Sequence, residues 1–109
     1  YPLSMLLAQN MVAQQRYGEA QRVYTQLSKL RQNDTHVWFE LAETSGLAGN
    51  VTAVHLARAE YFYLNGAAHR AIQHLEYAKN LVAGDNRQLH TKVTQRIADL
   101  RTEIRANQG

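Results

Sequence analysis

The sequence predicts an all-α fold of about six antiparallel helices in a single domain, residues 1–109, on three observations. The chain has one proline and six glycines, a composition that suits helices better than a sandwich or barrel of strands. Apolar residues recur every three or four positions along most of its length, as on the buried face of a helix. Two polar turns marked by Gly49 and Gly66 lie 17 positions apart, which leaves room for one helix between them.

Composition and charge limit the classes of function. The net charge is +3, and basic residues alternate with acidic ones along most of the chain, which is weak evidence for nucleic-acid binding. The absence of cysteine rules out a disulfide framework, a cysteine zinc site and a cysteine nucleophile. No apolar run approaches the roughly 18 residues that span a bilayer. The start at Tyr1, without an initiator methionine or a signal-peptide pattern, indicates a piece of a longer protein.

Two helices are expected in the first third of the chain, over about residues 3–14 and 19–30. The first is predicted to bury one broad face, made of Leu3, Leu6, Leu7, Met11 and Val12. The second has Glu19 at its start and Lys29 near its end, which suits the helix dipole. Its inner side is predicted to hold Ala20, Val23, Tyr24, Leu27 and Leu30.

The middle of the chain predicts a third helix over residues 36–47 and a fourth over 51–64. Asp34 or Thr35 is expected to cap the third helix by accepting a hydrogen bond from its free amides. The fourth helix is apolar nearly all round, so it is expected to be covered on most sides.

A fifth helix is predicted over residues 68–82, ended by Gly84, and a last one follows a cap at Asp85 or Asn86. The last helix has a narrow apolar stripe, made of Leu89, Val93, Ile97, Leu100 and Ile104. A terminal helix with a polar outer side is what a helical array needs, because no further repeat covers it.

A 34-residue offset points to internal repeats, since Trp38, Leu41 and Ala42 follow Ser4, Leu7 and Ala8 by that period. The chain therefore resembles tetratricopeptide repeats, pairs of antiparallel helices that stack into a right-handed array. The predicted units are repeat one (1–34), repeat two (35–66), an overlapping third repeat (51–83) and a capping helix (85–107). The signature positions are Leu7, Ala8, Tyr17, Ala20, Tyr24, Trp38, Leu41, Ala42, Gly49, Gly66, Ala71 and Ala78.

The stretch 37–101 resembles, more specifically, the C-terminal repeat domain of a family of periplasmic zinc metalloproteases, the beta-barrel assembly-enhancing proteases. The matching residues are Trp38, Glu40-Leu41-Ala42, Gly49-Asn50, Ala57-Arg58-Ala59-Glu60, Tyr63, Gly66, Ala71-Ile72, Leu75, Ala78, Arg96-Ile97 and Leu100-Arg101. The resemblance implies a periplasmic module that docks outer-membrane assembly machinery and its substrates and follows a protease domain in the same polypeptide. The alternative is a repeat adaptor of an unrelated complex, with no protease partner.

No catalytic or metal motif is found in these residues. The protease motif His-Glu-x-x-His is absent, and no two histidines stand four positions apart. His69 and His74, five apart, point to different sides of a helix. The sequence therefore predicts no catalytic residue, no metal and no cofactor here; any catalysis would lie upstream of Tyr1.

The first helix of each repeat in this class lines an inner groove. The partner-binding residues predicted from these positions are Met5, Gln9, Val12, His36, Phe39, Glu43, Leu56, Glu60 and Tyr63. Phe39 and Leu56 suit packing between helices equally well, while Met5 and Tyr63 suit the core better. The positions that would clamp a terminal carboxylate hold Met5, Gln9, Phe39, Glu43 and Ala57, which lack the required cations. The groove is therefore expected to prefer apolar or extended peptide.

The last helix also carries a basic face, made of Arg87, Lys92, Arg96, Arg101 and Arg105. We interpret it as a solvated outer surface. The alternative is a contact with an acidic partner, such as the preceding protease domain or anionic membrane headgroups. A nucleic-acid-binding helical domain is the remaining rival function, and it would bind with a steep dependence on salt.

Overall fold

The computed structural model describes residues 1–108, and within that range it is all α-helix and turn, with no strand. The last residue of the predicted domain, Gly109, lies outside the described residues. The helices are α1 (Pro2–Ala13), α2 (Tyr17–Leu30), α3 (Thr35–Leu47), α4 (Val51–Leu64), α5 (Ala68–Leu81) and α6 (Arg87–Gln108). Each helix packs against the next one in sequence, in an elongated array of 48 × 32 × 18 Å. The predicted all-α fold of six helices is confirmed.

Side-chain caps begin three of the helices, which explains why their starts could be predicted. Asp34 accepts hydrogen bonds from the amides of His36 and Val37 at the start of α3, at 3.0 and 3.4 Å. Asn50 accepts from Ala53 in α4, and Asn86 accepts from Leu89 in α6. Each bond satisfies an amide that has no partner inside its helix.

Glycines in the left-handed region follow α3 and α4. Gly49 has φ +79° and Gly66 has φ +81°, a conformation that is strained for residues with a side chain. Gly84, which was expected to end α5, does not do so. That helix already ends at Leu81, and Val82 continues in extended backbone, two positions before the glycine.

The buried face of α1 differs from the prediction. Met5 and Ala8 point into the core, whereas Leu3 is 82% exposed and Leu6 and Leu7 are about half exposed. α1 is apolar nearly all round, so periodicity alone did not select a face. Close packing selects the buried face instead, because the small side chain of Ala8 lets α2 approach α1. Leu7 therefore does not fill a core position, and Leu30 at the end of α2 is also exposed rather than inward.

Two hydrophobic clusters meet at α4. The first draws on α1 to α4 and contains Met5, Ala8, Tyr24, Leu27, Val37, Leu41, Ala42 and Ala57. The second draws on α4 to α6 and contains Ala59, Ala71, Leu75, Val93, Ile97 and Leu100. Ala57 and Ala59 stand two positions apart and thus point to nearly opposite sides of α4. This explains why α4 is apolar on most sides; the division into overlapping repeats stays a prediction.

Candidate interaction groove

Two adjoining depressions form a groove between α6 and the side of the array where α2, α3 and α4 meet. The first encloses about 260 Å³ and the second about 200 Å³. Trp38, Glu60 and Arg96 line both of them, so we call this surface the Trp38 groove. Its other lining residues are Ser28, Lys29, Gln32, Asn33, Leu56, Tyr63, Leu64, Leu75, Leu89, Lys92 and Val93.

Trp38 is held in a defined orientation at the edge of the first cluster. Its indole Nε1 donates a hydrogen bond of 2.8 Å to the carbonyl oxygen of Gln32, in the turn before α3. One part of the ring packs against the first cluster, and the rest faces the groove. An aromatic ring with a satisfied polar atom and an accessible apolar surface is a typical anchor for a protein partner.

An ion pair closes the floor of the groove. The guanidinium of Arg96 donates from Nε and from one terminal nitrogen to the two carboxylate oxygens of Glu60, at 3.0 and 3.1 Å. The same guanidinium lies 4.9 Å from the centre of the Tyr63 ring. The Tyr63 hydroxyl in turn donates to Glu103 at 3.1 Å, and this hydrogen bond to a carboxylate raises the pKa of Tyr63. The floor therefore carries opposite charges that neutralise each other.

The interpretation of the basic face of α6 as a solvated surface does not hold for Arg96, which is half-buried, whereas Arg101 is solvated but paired. Arg96 is bound to Glu60, and Arg101 donates to Glu76 of α5 at 2.9 Å. Both arginines therefore attach α6 to the preceding helices. Arg87, Lys92 and Arg105 form no ion pair within residues 1–108 and lie exposed on α6.

The nine predicted partner-binding residues do not share one surface. Leu56, Glu60 and Tyr63 line the Trp38 groove or face α6. Phe39 instead contacts Tyr61, with ring centres 5.9 Å apart, on a different side of α4. Met5 is 6% exposed, so its prediction as a groove residue is corrected: it belongs to the first cluster. Gln9, His36 and Glu43 are exposed and Val12 is half-buried. Their role in binding stays a prediction.

Sequence reasoning missed the contribution of α6 to the groove. Leu89 and Lys92 line it, together with Lys29, Gln32 and Asn33 near the α2–α3 turn. Leu89 lies in the apolar stripe of α6, as predicted, and how much of it faces the groove depends on where α6 crosses α4. No sequence pattern within α6 predicts where it crosses α4.

Neither a metal centre nor a membrane-spanning helix is found in the part of the chain that the structure describes. No three side chains among its histidines and carboxylates come together as metal ligands would. None of its helices combines the length and the apolar character that crossing a bilayer requires.

Comparisons with known proteins give a distant likeness among solved structures. No protein-family model matches the sequence, and no curated protein matches it. Among solved structures, the chain is similar to the Yersinia enterocolitica type III secretion translocator chaperone SycD, with 18% sequence identity and a TM-score of 0.49. The match covers 95% of this chain and 85% of that one. A similarity at this level does not extend to function.

Proposed function

We propose that this chain is a protein-docking module that binds an extended, largely apolar peptide segment in the Trp38 groove. The observation that carries the proposal is the groove itself, in which Trp38, Leu56 and Leu89 present apolar surface around a floor of paired charges. A neutral floor favours uncharged side chains. The surrounding amide and ammonium groups of Gln32, Asn33 and Lys92 offer hydrogen-bond donors to the carbonyls of an extended backbone.

Preorganisation supports this role. The indole is held by its bond to Gln32, and the floor is held by two bonds between Glu60 and Arg96. A partner that enters the groove thus meets side chains already ordered, which lowers the entropic cost of association. An extended segment projects alternate side chains to one side, so it fits a shallow groove with one apolar wall.

We further propose that the module belongs to a periplasmic zinc metalloprotease that supports outer-membrane protein assembly and quality control. The residues that support this role are Trp38, Glu60 and Arg96, which carry the resemblance to that family and also line the groove. Strands of outer-membrane barrels alternate apolar and polar residues over about ten positions, which is the pattern that the groove would accept. Catalysis, metal and cofactor would then reside in the preceding domain.

Fluorescence of Trp38, the single tryptophan of the chain, offers a direct test of groove binding. A synthetic barrel-strand peptide of about ten alternating apolar and polar residues should shift its emission saturably. Leu89→Gln, which removes apolar surface at the groove, should weaken binding severalfold. Thr94→Gln, on the exposed side of the same helix, should leave the affinity unchanged.

Salt dependence separates this function from its rivals. Contact between apolar surfaces should survive high salt nearly unchanged, whereas binding through phosphates would fall steeply. If Leu89→Gln changes neither the Trp38 emission shift nor the affinity for the peptide, the Trp38 groove is not the docking site.

The sequence of the coding region upstream of Tyr1 tests the proposed role in a periplasmic metalloprotease. A signal peptide and a His-Glu-x-x-His motif would support the protease, and a lack of both would leave the adaptor.

A further inference from the structure

Six rings form a second surface, on the side of α4 away from the Trp38 groove. We call it the aromatic face, and it contains Phe39, His55, Tyr61, Phe62, His74 and Tyr77. Phe62 stands two positions after Glu60 and so points to nearly the opposite side of the helix. Phe39 and Tyr77 at the two ends are 45% and 46% exposed. The face is thus continuous and partly open to solvent.

A histidine pair lies at its centre. The Nδ1 atoms of His55 and His74 are 3.0 Å apart, so one nitrogen donates a hydrogen bond and the other accepts it. The rings of Phe62 and His74 stack at 5.2 Å on the other side. Two Nδ1 protons cannot both fit between the histidines, so the pair holds at most one extra proton without losing this bond.

Two arginines border the face and have no acidic partner. The guanidinium of Arg70 lies 5.4 Å from the centre of the Phe62 ring, and Arg58 lies one turn after His55 on α4. Both are exposed, and neither forms an ion pair or a side-chain hydrogen bond within residues 1–108. In contrast, Arg16, Arg31, Arg96 and Arg101 are each paired with a carboxylate.

We propose that the aromatic face is a second docking site, which binds a peptide that carries carboxylates next to aromatic or aliphatic side chains. Charge complementarity supports this occupant, because the two unpaired guanidiniums can each form charge-assisted bonds to a carboxylate. The rings between them offer apolar surface for the neighbouring side chains. This site is independent of the Trp38 groove and of the function proposed for it.

A peptide fits better than nucleic acid. Arg58 and Arg70 are the cations that we place beside the rings, which is few for a nucleic-acid groove. His74 stacks with its neighbours His55 and Phe62, while the exposed rings at the two ends meet theirs at tilted or edge-on angles, as between Phe39 and Tyr61 or His74 and Tyr77. Single-stranded nucleic acid favours open ring faces on which successive bases stack, along a groove with many cations.

Proton uptake on binding follows from the groups around the histidines. Burial and then Arg58 lower the pKa of His55, and burial, His55, Arg58 and Arg70 lower that of His74. Besides Arg58 on α4, the titratable groups that face the histidines are Arg70 and Tyr77 on α5. A carboxylate brought between the arginines would stabilise the protonated pair. The affinity should therefore rise as the pH falls below about 6.5, the ordinary histidine value.

The experiment uses a fluorescein-labelled peptide in which aspartate alternates with phenylalanine or leucine. The control is the same peptide with asparagine in place of aspartate. Anisotropy should show tighter binding of the aspartate peptide. Arg58→Gln and Arg70→Gln should each weaken it by about tenfold, the effect of one charged hydrogen bond. Arg105→Gln on α6 and Leu89→Gln in the Trp38 groove should leave it unchanged. In NMR spectra, the titration midpoints of His55 and His74 should rise when the peptide is present.

Three outcomes would overturn the proposal. The aspartate and asparagine peptides could bind equally, or the double variant Arg58→Gln/Arg70→Gln could bind the aspartate peptide as before. Alternatively, a single-stranded oligonucleotide could bind with the same arginine dependence while the aspartate peptide does not, which would assign the face to nucleic acid. Failure of the groove test with Leu89→Gln would leave this proposal untouched, so the two sites are judged separately.

Discussion

The guanidinium of Arg96 donates two hydrogen bonds, of 3.0 and 3.1 Å, to the carboxylate of Glu60, 36 positions away in the sequence. The pair joins α6 to α4, although α6 packs mainly against α5. It also forms the floor of the Trp38 groove. One contact thus both attaches the last helix and sets the polarity of the candidate site.

We predict that Arg96→Ala lowers the free energy of unfolding by about 1 to 3 kcal/mol. The side chains are 34% and 25% exposed, which places this pair between exposed pairs that contribute below about 1 kcal/mol and buried ones that cost about 3 to 5 when broken. Urea unfolding measures the effect, and a double-mutant cycle with Glu60→Ala isolates the coupling. Arg87→Ala, an exposed and unpaired site on the same helix, is the control. An equal loss for both variants would contradict the assignment.

Trp38 should contribute through both its ring and its N–H. Trp38→Phe keeps most of the packing but loses the bond to Gln32, so we expect a loss of about 1 kcal/mol. Trp38→Ala also removes the ring from the first cluster and should cost about 3 kcal/mol, near the lower end for buried aromatics because the ring is only partly buried. Thermal and urea unfolding would measure both. If Trp38→Ala barely moved the midpoint, the ring would not be part of the core.

Asp34→Ala should destabilise the start of α3 by about 1 to 2 kcal/mol, because Asp34 caps two amides of the first turn. It also accepts a 2.8 Å hydrogen bond from the Tyr1 hydroxyl, which together with the amides holds the pKa of Asp34 below its usual range. Asp85→Ala is the matched control, since Asn86 rather than Asp85 caps α6. Unfolding by urea at neutral pH should separate the two. Equal losses would mean that the cap contributes nothing.

Acid should loosen the contact between α4 and α5. The pKa values of His55 and His74 are depressed in the folded chain, so the unfolded chain binds more protons once the pH falls below about 6.5. Stability is therefore complete above that pH and declines as the pH falls through the folded values. Unfolding measured between pH 8 and pH 5, a span chosen around the ordinary histidine value of about 6.5, should show this decline.

Two variants test which histidines are responsible. His74→Phe removes a titrating group but keeps an aromatic ring against Phe62, so it should flatten the dependence. His69→Gln, at an exposed site on the same helix, should not. If the His69 variant changed the slope as much, the histidine pair would not be the sensor.

Local chemistry explains what could be predicted. α4 spans Val51–Leu64, as expected, because Asn50 caps it and Gly66 ends the turn that follows it. Asp34 and Asn86 were among the expected caps for the same reason. These signals act over three or four residues. The face of α1 could not be predicted, because its apolar residues surround the helix and only contact with α2 selects Met5 and Ala8.

The sequence by itself determined the number of helices, most of their ends and the polar outer side of α6, because hydrogen-bond caps and apolar periodicity are encoded within a few neighbouring residues. Only the tertiary structure decided that Glu60 meets Arg96, that His55 meets His74, and that Phe39 and Leu56 serve different surfaces. Those pairings depend on the rotation and crossing of whole helices. Many weak side-chain contacts set these together, and no local pattern records them.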